Sequence, residues 1–207
     1  MPRTAAPRGS LLLLPGVLLV CVLPAYCMYG PIDGGLVCGE DGMDYNSKEE
    51  AHLHGVRAMH GGRCGECSTP HDINVYYDTR NTLTKFTTRC SFLYLMFGEW
   101  AMRKCMQKVN FTPGCNECWL ENIKCDVNSK CLWICLKSTL SGESNNKGDG
   151  TLNSCLQCDE DVCGPAYIRC AGANRRRSGI TSDIDRATNI IWEGDDWDGD
   201  TVTDLLN

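Results

Sequence analysis

The chain has 207 residues, 16 of them cysteine, and its 26 acidic and 20 basic residues give a formal net charge of −6 at pH 7. This acidic balance argues against nucleic acid as a partner, because nucleic-acid-binding proteins concentrate positive charge on one surface. The length suffices for one domain or two small ones, and cysteine has to replace part of the core that small domains lack.

Residues 1–27 have the layout of a secretory signal peptide. A basic start is followed by an apolar run from Leu11 to Leu23 and a small-residue exit at Ala25-Tyr26-Cys27. The nearest candidate for a second apolar segment, Phe92 to Phe97, is far too short to span a bilayer. We therefore expect a secreted, extracellular protein that begins at Met28 and does not insert directly into a membrane after signal cleavage.

Fourteen cysteines remain after this cleavage, an even number. The secretory route is oxidising, so they predict seven disulfides rather than thiols or metal ligands, and we expect no metal and no cofactor. The residues concerned are Cys38, Cys64, Cys67, Cys90, Cys105, Cys115, Cys118, Cys125, Cys131, Cys135, Cys155, Cys158, Cys163 and Cys170.

The first mature segment, residues 28–67, contains a Cys-Gly-x-Asp-Gly-x-x-Tyr sequence beginning at Cys38. Ser47 and Glu50 have the spacing of a capping box that starts a helix over 49–59. Residues 37–64 resemble the second half of a Kazal-type module, which implies a small α+β cap and a bond between Cys38 and Cys64. No cysteine occurs between residues 28 and 38, where that family presents its protease-binding loop, so we interpret the module as degenerate, with serine-protease inhibition as an alternative function.

The rest of the chain predicts a short linker and a helical domain. Ile73, Val75 and Tyr77 alternate with polar residues, which predicts an extended segment within a linker over 68–86. Residues 87–180 predict a helical domain, and its most apolar helix, over 88–107, is expected to be the buried centre. Further helices are predicted at 118–125, after Ser129 and from Pro165, whereas Pro113-Gly114 is expected to end a helix.

Cysteines seven or four residues apart lie on one helical face and are too distant to bond each other easily. Cys118 and Cys125 are one such pair, and Cys131 and Cys135 are another. Each cysteine should reach a different neighbouring element, which predicts a mainly α, disulfide-rich fold in which the Kazal-like cap precedes a crosslinked helical bundle. Spacing leaves the connectivity open.

The second half of the chain also resembles a group of cysteine-rich exported proteins from unicellular eukaryotes such as algae and apicomplexans. The similar stretches are Cys115–Trp119, Cys155–Asp159 and Cys170–Ile180. The resemblance implies export and supplies no catalytic residues.

Three Cys-x-x-Cys pairs raise the alternatives of zinc binding and thiol oxidoreduction. The gaps between the pairs do not fit structural zinc spacings. A redox dithiol needs a helix N-terminus beside its first thiolate, but Ser68-Thr69-Pro70 follows Cys64-Gly65-Glu66-Cys67. We therefore rank an oxidoreductase below a binding protein.

The C-terminal residues 181–207 predict an acidic, disordered tail. Within it, carboxylates at alternating positions raise the possibility of a calcium loop, although no bidentate glutamate follows them. The residues of this candidate loop are Asp196, Asp198, Asp200 and Asp204.

Two further sequence features bear on processing. Asn110-Phe111-Thr112 is a glycosylation sequon that is followed directly by Pro113. Arg175-Arg176-Arg177 has the character of a processing site or an anion-docking patch, and we favour pairing of these arginines with the acidic tail.

These features together predict a secreted binding or structural protein rather than an enzyme. Abundant crosslinks, no coherent catalytic set and an acidic tail favour protein–protein interaction in an exported or cell-surface complex. The expected partner is an extracellular or membrane-anchored protein.

Overall fold

The computed structural model describes residues 35–147 and 151–184. The predicted signal peptide and the four aspartates of the candidate calcium loop lie outside these residues. The described part has three strands and eight α-helices, so the prediction of a mainly α, disulfide-rich fold is confirmed. The elements are β1 Val37–Gly39, β2 Asp44–Tyr45, α1 Lys48–Leu53, β3 Ala58–Gly61, α2 Pro70–Asp78, α3 Leu83–Phe97, α4 Glu99–Met106, α5 Pro113–Asn128, α6 Cys131–Leu140, α7 Ser154–Val162 and α8 Gly164–Ala171. Within the described ranges, no helix is long and apolar enough to cross a membrane.

The N-terminal module is an antiparallel sheet of order β2-β1-β3 with one helix against it. The Ser47 hydroxyl accepts the Glu50 backbone N–H at 3.2 Å, so the predicted helix start is confirmed. The helix is shorter than the predicted range of 49–59. It ends after Leu53 because Gly55 has a φ of +72° and the chain then enters β3.

Residues 70–78 form helix α2, so the prediction of an extended segment within a linker over 68–86 is wrong. Thr69 caps this helix by accepting the Asp72 backbone N–H at 3.1 Å, and Pro70 occupies the first turn. Ile73 and Tyr76 are both fully buried. A spacing of three residues places Ile73 and Tyr76 on one face of a helix. The alternation of Ile73, Val75 and Tyr77 also fits a strand, and the wrong prediction followed from this second pattern.

The predicted helix over 88–107 is two helices, α3 and α4, which meet at Gly98. Gly98 has a φ of +76°, a conformation that favours glycine and interrupts the helix. A disulfide joins Cys90 in α3 to Cys105 in α4. Because these cysteines lie at similar distances on either side of Gly98, the two helices must fold back on each other as a hairpin.

The remaining helices form two crosslinked pairs. Cys118 and Cys125 of α5 bond to Cys170 and Cys163, so two disulfides connect α5 with both ends of α8. Helix α5 begins at Pro113, where we expected a helix to end, because proline fits the first helical turn, which has no need of its N–H.

Helices α6 and α7 form the second pair. Cys131 bonds to Cys158 and Cys135 bonds to Cys155, so the two helices run antiparallel. Helix α7 was not predicted. Its N-cap is Asn153, whose side chain accepts the Leu156 backbone N–H at 2.8 Å.

The seven disulfides divide the chain into three successive closed loops. The first runs from Cys38 to Cys64, the pairing expected from the Kazal resemblance. The second runs from Cys67 to Cys115 and contains the Cys90–Cys105 bond. The third runs from Cys118 to Cys170 and contains three nested bonds. No bond of this set crosses from one loop to another.

One core holds these loops together. Fully buried residues from four elements meet in it. They are Met59 of β3, Tyr76 of α2, Met102 of α4 and Leu120 of α5. The segment after Cys64 lies directly on the end of α8, where the backbone N–H groups of Glu66 and Cys67 donate to the carbonyls of Cys170 and Ala171 at 2.9 and 2.8 Å. The N-terminal module therefore packs on the helical region rather than standing apart from it.

Candidate functional site: an exposed apolar corner

The turn between α3 and α4 exposes large apolar side chains. We name these residues the corner surface. They are Phe92 (36% exposed), Leu95 (44%), Met96 (70%), Phe97 (63%) and Trp100 (72%). Phe92, Leu95 and Met96 share a face of α3 because they are three and four residues apart, while Phe97 and Trp100 flank Gly98.

The corner surface corrects the expectation that this helix is the buried centre of the domain. Only Leu83 and Cys90 of α3 are buried, although Phe86, Leu93 and Tyr94 pack partly against the core. The opposite face therefore carries apolar residues without a covering element among the described residues. Aromatic residues and methionine are enriched in protein interfaces, so this composition favours a binding surface.

Basic residues extend the corner surface on both helices. Lys85 and Arg89 are exposed on the α3 face that continues to Phe92 and Met96, and Lys104 lies one turn after Trp100. Neither Lys85, Arg89 nor Lys104 forms an ion pair with any residue in the described ranges. Residues 83–109 contain five basic residues against Glu99, in a chain whose overall charge is negative. A partner that fits this surface is apolar in part and acidic in part.

An ion-pair network fixes α4 on α5 beneath the corner. Arg103 bonds Glu99 at 2.7 Å and also pairs with Glu117, while Lys124 lies 3.1 Å from Glu99. Hydrogen bonds from Arg103 and Lys124 hold the pKa of Glu99 below its usual value, and Glu117 and Glu99 raise the pKa of Arg103. A network of several charges holds geometry better than isolated surface pairs do.

A serine–histidine pair lies elsewhere, between β3 and the segment before α2. His60 Nδ1 is 3.0 Å from the Gly61 carbonyl, so it carries the proton, and Nε2 accepts the Ser68 hydroxyl at 2.7 Å. Ser68 also accepts the Gly65 backbone N–H at 2.8 Å. Burial is the main cause that lowers the pKa of His60, to about 4.

This pair does not make a hydrolytic centre. His60 is fully buried and Ser68 nearly so, which leaves no access for a substrate. The pair instead joins the sheet to the segment that packs on α8. Sequence reasoning assigned His60 no role, because a separation of eight residues between histidine and serine is not a recognisable signal.

Two carboxyl groups meet at the join of α5 and α7. Asp126, Asp159 and Cys163 place candidate ligand atoms within 4.8 Å of one another. Cys163 is bonded to Cys125 and offers no thiolate, while burial and the neighbouring Asp159 raise the pKa of Asp126. A protonated carboxyl group and a disulfide are poor metal ligands, so this cluster does not fit a metal centre.

None of the three Cys-x-x-Cys pairs closes on itself. Cys64 and Cys67 bond to Cys38 and Cys115, and the other two pairs are likewise split between distant partners. No cysteine between Cys38 and Cys170 is left as a thiol. These pairs therefore lack both the dithiol of an oxidoreductase and the thiolates of a zinc site.

The two predicted processing sites have different surroundings. Asn110 is exposed, but the Thr112 hydroxyl of its sequon donates to Asp72 at 2.8 Å. Arg177 is almost fully buried, whereas Arg175 pairs with Asp183 at 3.1 Å. A processing enzyme cannot reach Arg177 in the folded chain, and the pairing of Arg175 agrees with the interpretation that we favoured.

Residues 99–193 match a family of unknown function, DUF8771. The match begins at α4, runs through α5–α8 and extends beyond the last described residue. No curated protein and no solved structure matches the chain.

Proposed function

We propose that this chain is a secreted, disulfide-stabilised binding protein that uses the corner surface to hold another protein in an exported or cell-surface complex. Its partner is an extracellular or membrane-anchored protein, and the chain itself is not an enzyme. The observation that carries the proposal is the cluster of exposed apolar side chains around Gly98, since Phe97 and Trp100 are each more than 60% exposed. Contiguous apolar patches on otherwise polar surfaces mark interaction sites.

The disulfide pattern supports the same proposal. Seven bonds are typical of proteins that work in oxidising compartments. The Cys90–Cys105 bond and the network around Arg103 keep the α3–α4 hairpin in place before a partner arrives. A rigid surface loses little entropy on binding, so it can bind tightly through a few aromatic anchors.

The test compares two tryptophans of equal exposure in the full mature chain. Trp100 is 72% exposed on the corner surface and Trp133 is 74% exposed on α6. A photo-crosslinking amino acid at position 100 should attach a protein from the native secretion, while the same residue at position 133 should not. Trp100→Glu should weaken the complex at least about tenfold, because aromatic anchors commonly contribute about 2 kcal/mol or more to binding.

Trp133→Glu is the matched control and should leave the affinity unchanged. Equal loss in both variants, or equal crosslinking from both positions, would show that the corner surface is not the binding site. Circular dichroism spectra of both variants establish that the charge has not unfolded either chain.

Kazal-type protease inhibition is a second candidate. It is favoured by the Cys38–Cys64 bond and by the order of hairpin, helix and third strand in residues 37–61. Titration against a panel of serine proteases tests it. Stoichiometric inhibition with a defined end point would support this function over the corner surface, and full protease activity at excess protein would remove it.

A further inference from the structure

The last described residues fix the place where the C-terminal segment leaves the folded part. The Asp183 backbone N–H donates to the Arg80 carbonyl at 3.4 Å, and Arg175 bonds Asp183, Arg80 and Thr84 at 3.1, 2.8 and 3.2 Å. Ile184 is buried, so residues 183–184 belong to the folded part and the predicted tail boundary at 181 lies too early. The last described residues thus lie beside the first turn of α3.

From this departure point an exposed face of α3 leads to the corner surface. Thr84, Thr88 and Phe92 are spaced four residues apart and share one stripe, with Leu95 on the next turn. Lys85 and Arg89 border the near half of the stripe, and the exposed apolar residues form its far half. A segment that follows this stripe first passes basic and then apolar side chains.

The distance fits the sequence that follows. Met96 is twelve residues after Thr84, which is about 18 Å along the helix axis. Six extended residues span about 20 Å, and Ile190 is the sixth residue after Ile184. The apolar triplet Ile190-Ile191-Trp192 can therefore reach the corner surface directly.

The charges are complementary as well. Residues 185–207 contain seven acidic residues against Arg186, and most of the acids follow Trp192. The helices α3 and α4 carry an excess of positive charge, and Lys85, Arg89 and Lys104 have no ion-pair partner in the described ranges. The match to DUF8771 ends at residue 193, so it includes the triplet and stops before most of these acids.

We infer that Ile190-Ile191-Trp192 docks on the corner surface of its own chain, and that the acidic residues after it pair with the basic residues of α3 and α4. The docked segment and an outside partner then compete for one surface. The consequence is autoinhibition, and this consequence rests on the proposed function. The affinity for the partner is multiplied by the fraction of chains in which the corner surface is free, so docking weakens binding.

The docking itself is tested without any partner. A zero-length carbodiimide reagent joins a carboxylate to a lysine amine only when the two are in contact. In the full mature chain it should join Lys85 or Lys104 to acids within 193–204. An equal mixture of unlabelled and ¹⁵N-labelled protein should give these crosslinked peptides as pure light and pure heavy species, because docking occurs within one chain.

Substitutions identify the contact. Trp192→Ser and Met96→Glu should each reduce the crosslink yield several-fold, whereas the matched controls Trp197→Ser and Trp133→Glu should not. Mixed light–heavy crosslinks would overturn the inference in favour of a second copy on this face. Crosslinks from the C-terminal segment only to lysines away from α3 and α4, such as Lys137, would overturn it outright.

The outcomes separate this inference from the proposed function. If the intrachain crosslinks form but Trp100→Glu leaves partner binding intact, docking stands and the proposed function fails. If Trp100→Glu abolishes partner binding and no crosslink to α3 or α4 forms, the proposed function stands and docking fails. When both hold, Trp192→Ser should bind the partner more tightly than the unmodified chain does.

Discussion

His60 is an imidazole that folding removes completely from water. Burial disfavours its charged form, and the positive charge of Arg177 acts in the same direction, while the hydrogen bond to the Gly61 carbonyl and the charge of Asp44 act in the opposite direction. Burial lowers the pKa of His60 to about 4 in the folded chain, against an ordinary value of 6.5. Between these two pH values the unfolded chain holds more protons than the folded chain.

The contribution of His60 to stability should therefore fall as the pH decreases from 6.5 to 4. The contribution of His60 is fully present above pH 6.5, and its loss amounts to about 3 kcal/mol at 1.36 kcal/mol per pKa unit. Denaturant unfolding at several pH values measures it. The unfolding free energy of the unmodified chain minus that of His60→Gln should decrease as the pH falls over this range, whereas the difference from His52→Gln, at an exposed position, should stay constant. Parallel curves for all three proteins would contradict the assignment.

At the scale of elements, the end of α8 is held by a close approach of two backbones. Gly172 has a φ of +70°, and a Cβ atom there would meet the Gly65 backbone N and lie 2.7 Å from the Ser68 hydroxyl. Gly142, just beyond the end of α6, also has a positive φ, of +63°, but nothing lies within 4 Å of a Cβ atom there. These two glycines separate backbone strain from crowding.

Gly172→Ala should cost considerably more stability than Gly142→Ala. A left-handed conformation alone costs a non-glycine residue about 1–2 kcal/mol, and crowding against the backbone should add about 1–3 kcal/mol at position 172. Thermal and denaturant unfolding of both variants measure the difference. Equal destabilisation would show that the segment after Cys64 moves away from α8 without cost.

The helices show which elements a sequence reveals. A capping signal located the start of α1 and a proline signal the start of α8, but α2 and α7 were missed. Helix α2 was missed because its apolar residues alternate as they do in a strand. Helix α7 was missed because, apart from its cysteines, it has only Leu156 and Val162 as apolar residues. Partners outside α7, above all Cys131 and Cys135 of α6, hold it in place. The residues of one segment do not show which distant cysteine will bond to it, so a helix held mainly by disulfides is not predicted from its own pattern.

The corner surface was missed for a related reason. Phe92, Met96 and Trp100 have the same hydropathy whether another helix covers them or not. Sequence spacing places them on one side of a helix and cannot say which side faces the core. Only the positions of Leu83 and Cys90 in the folded chain decide this, and they turn the opposite face outward.

At the scale of the whole molecule, the cysteine count alone predicted the disulfide-rich class, while the three-loop connectivity required the structure. Non-reducing peptide mapping should recover Cys67 with Cys115 and Cys118 with Cys170. Alkylation of the exported protein should add no group before reduction and one at each of the fourteen cysteines after it. A bond within any Cys-x-x-Cys pair, or a free thiol there, would restore the redox alternative.

The boundaries between the three closed loops determine what a single proteolytic cut can do. A break inside any loop, for instance between Cys135 and Cys155, leaves both new chain ends tied to the same covalent body. Between Cys38 and Cys170, two short stretches are not spanned by any described disulfide. They are Gly65-Glu66, between the first and second loops, and Asn116-Glu117, between the second and third. The second lies within helix α5, which resists cleavage while it stays folded. Between Cys38 and Cys170, a protease can therefore nick this protein in many places and separate it into two covalent parts at only two.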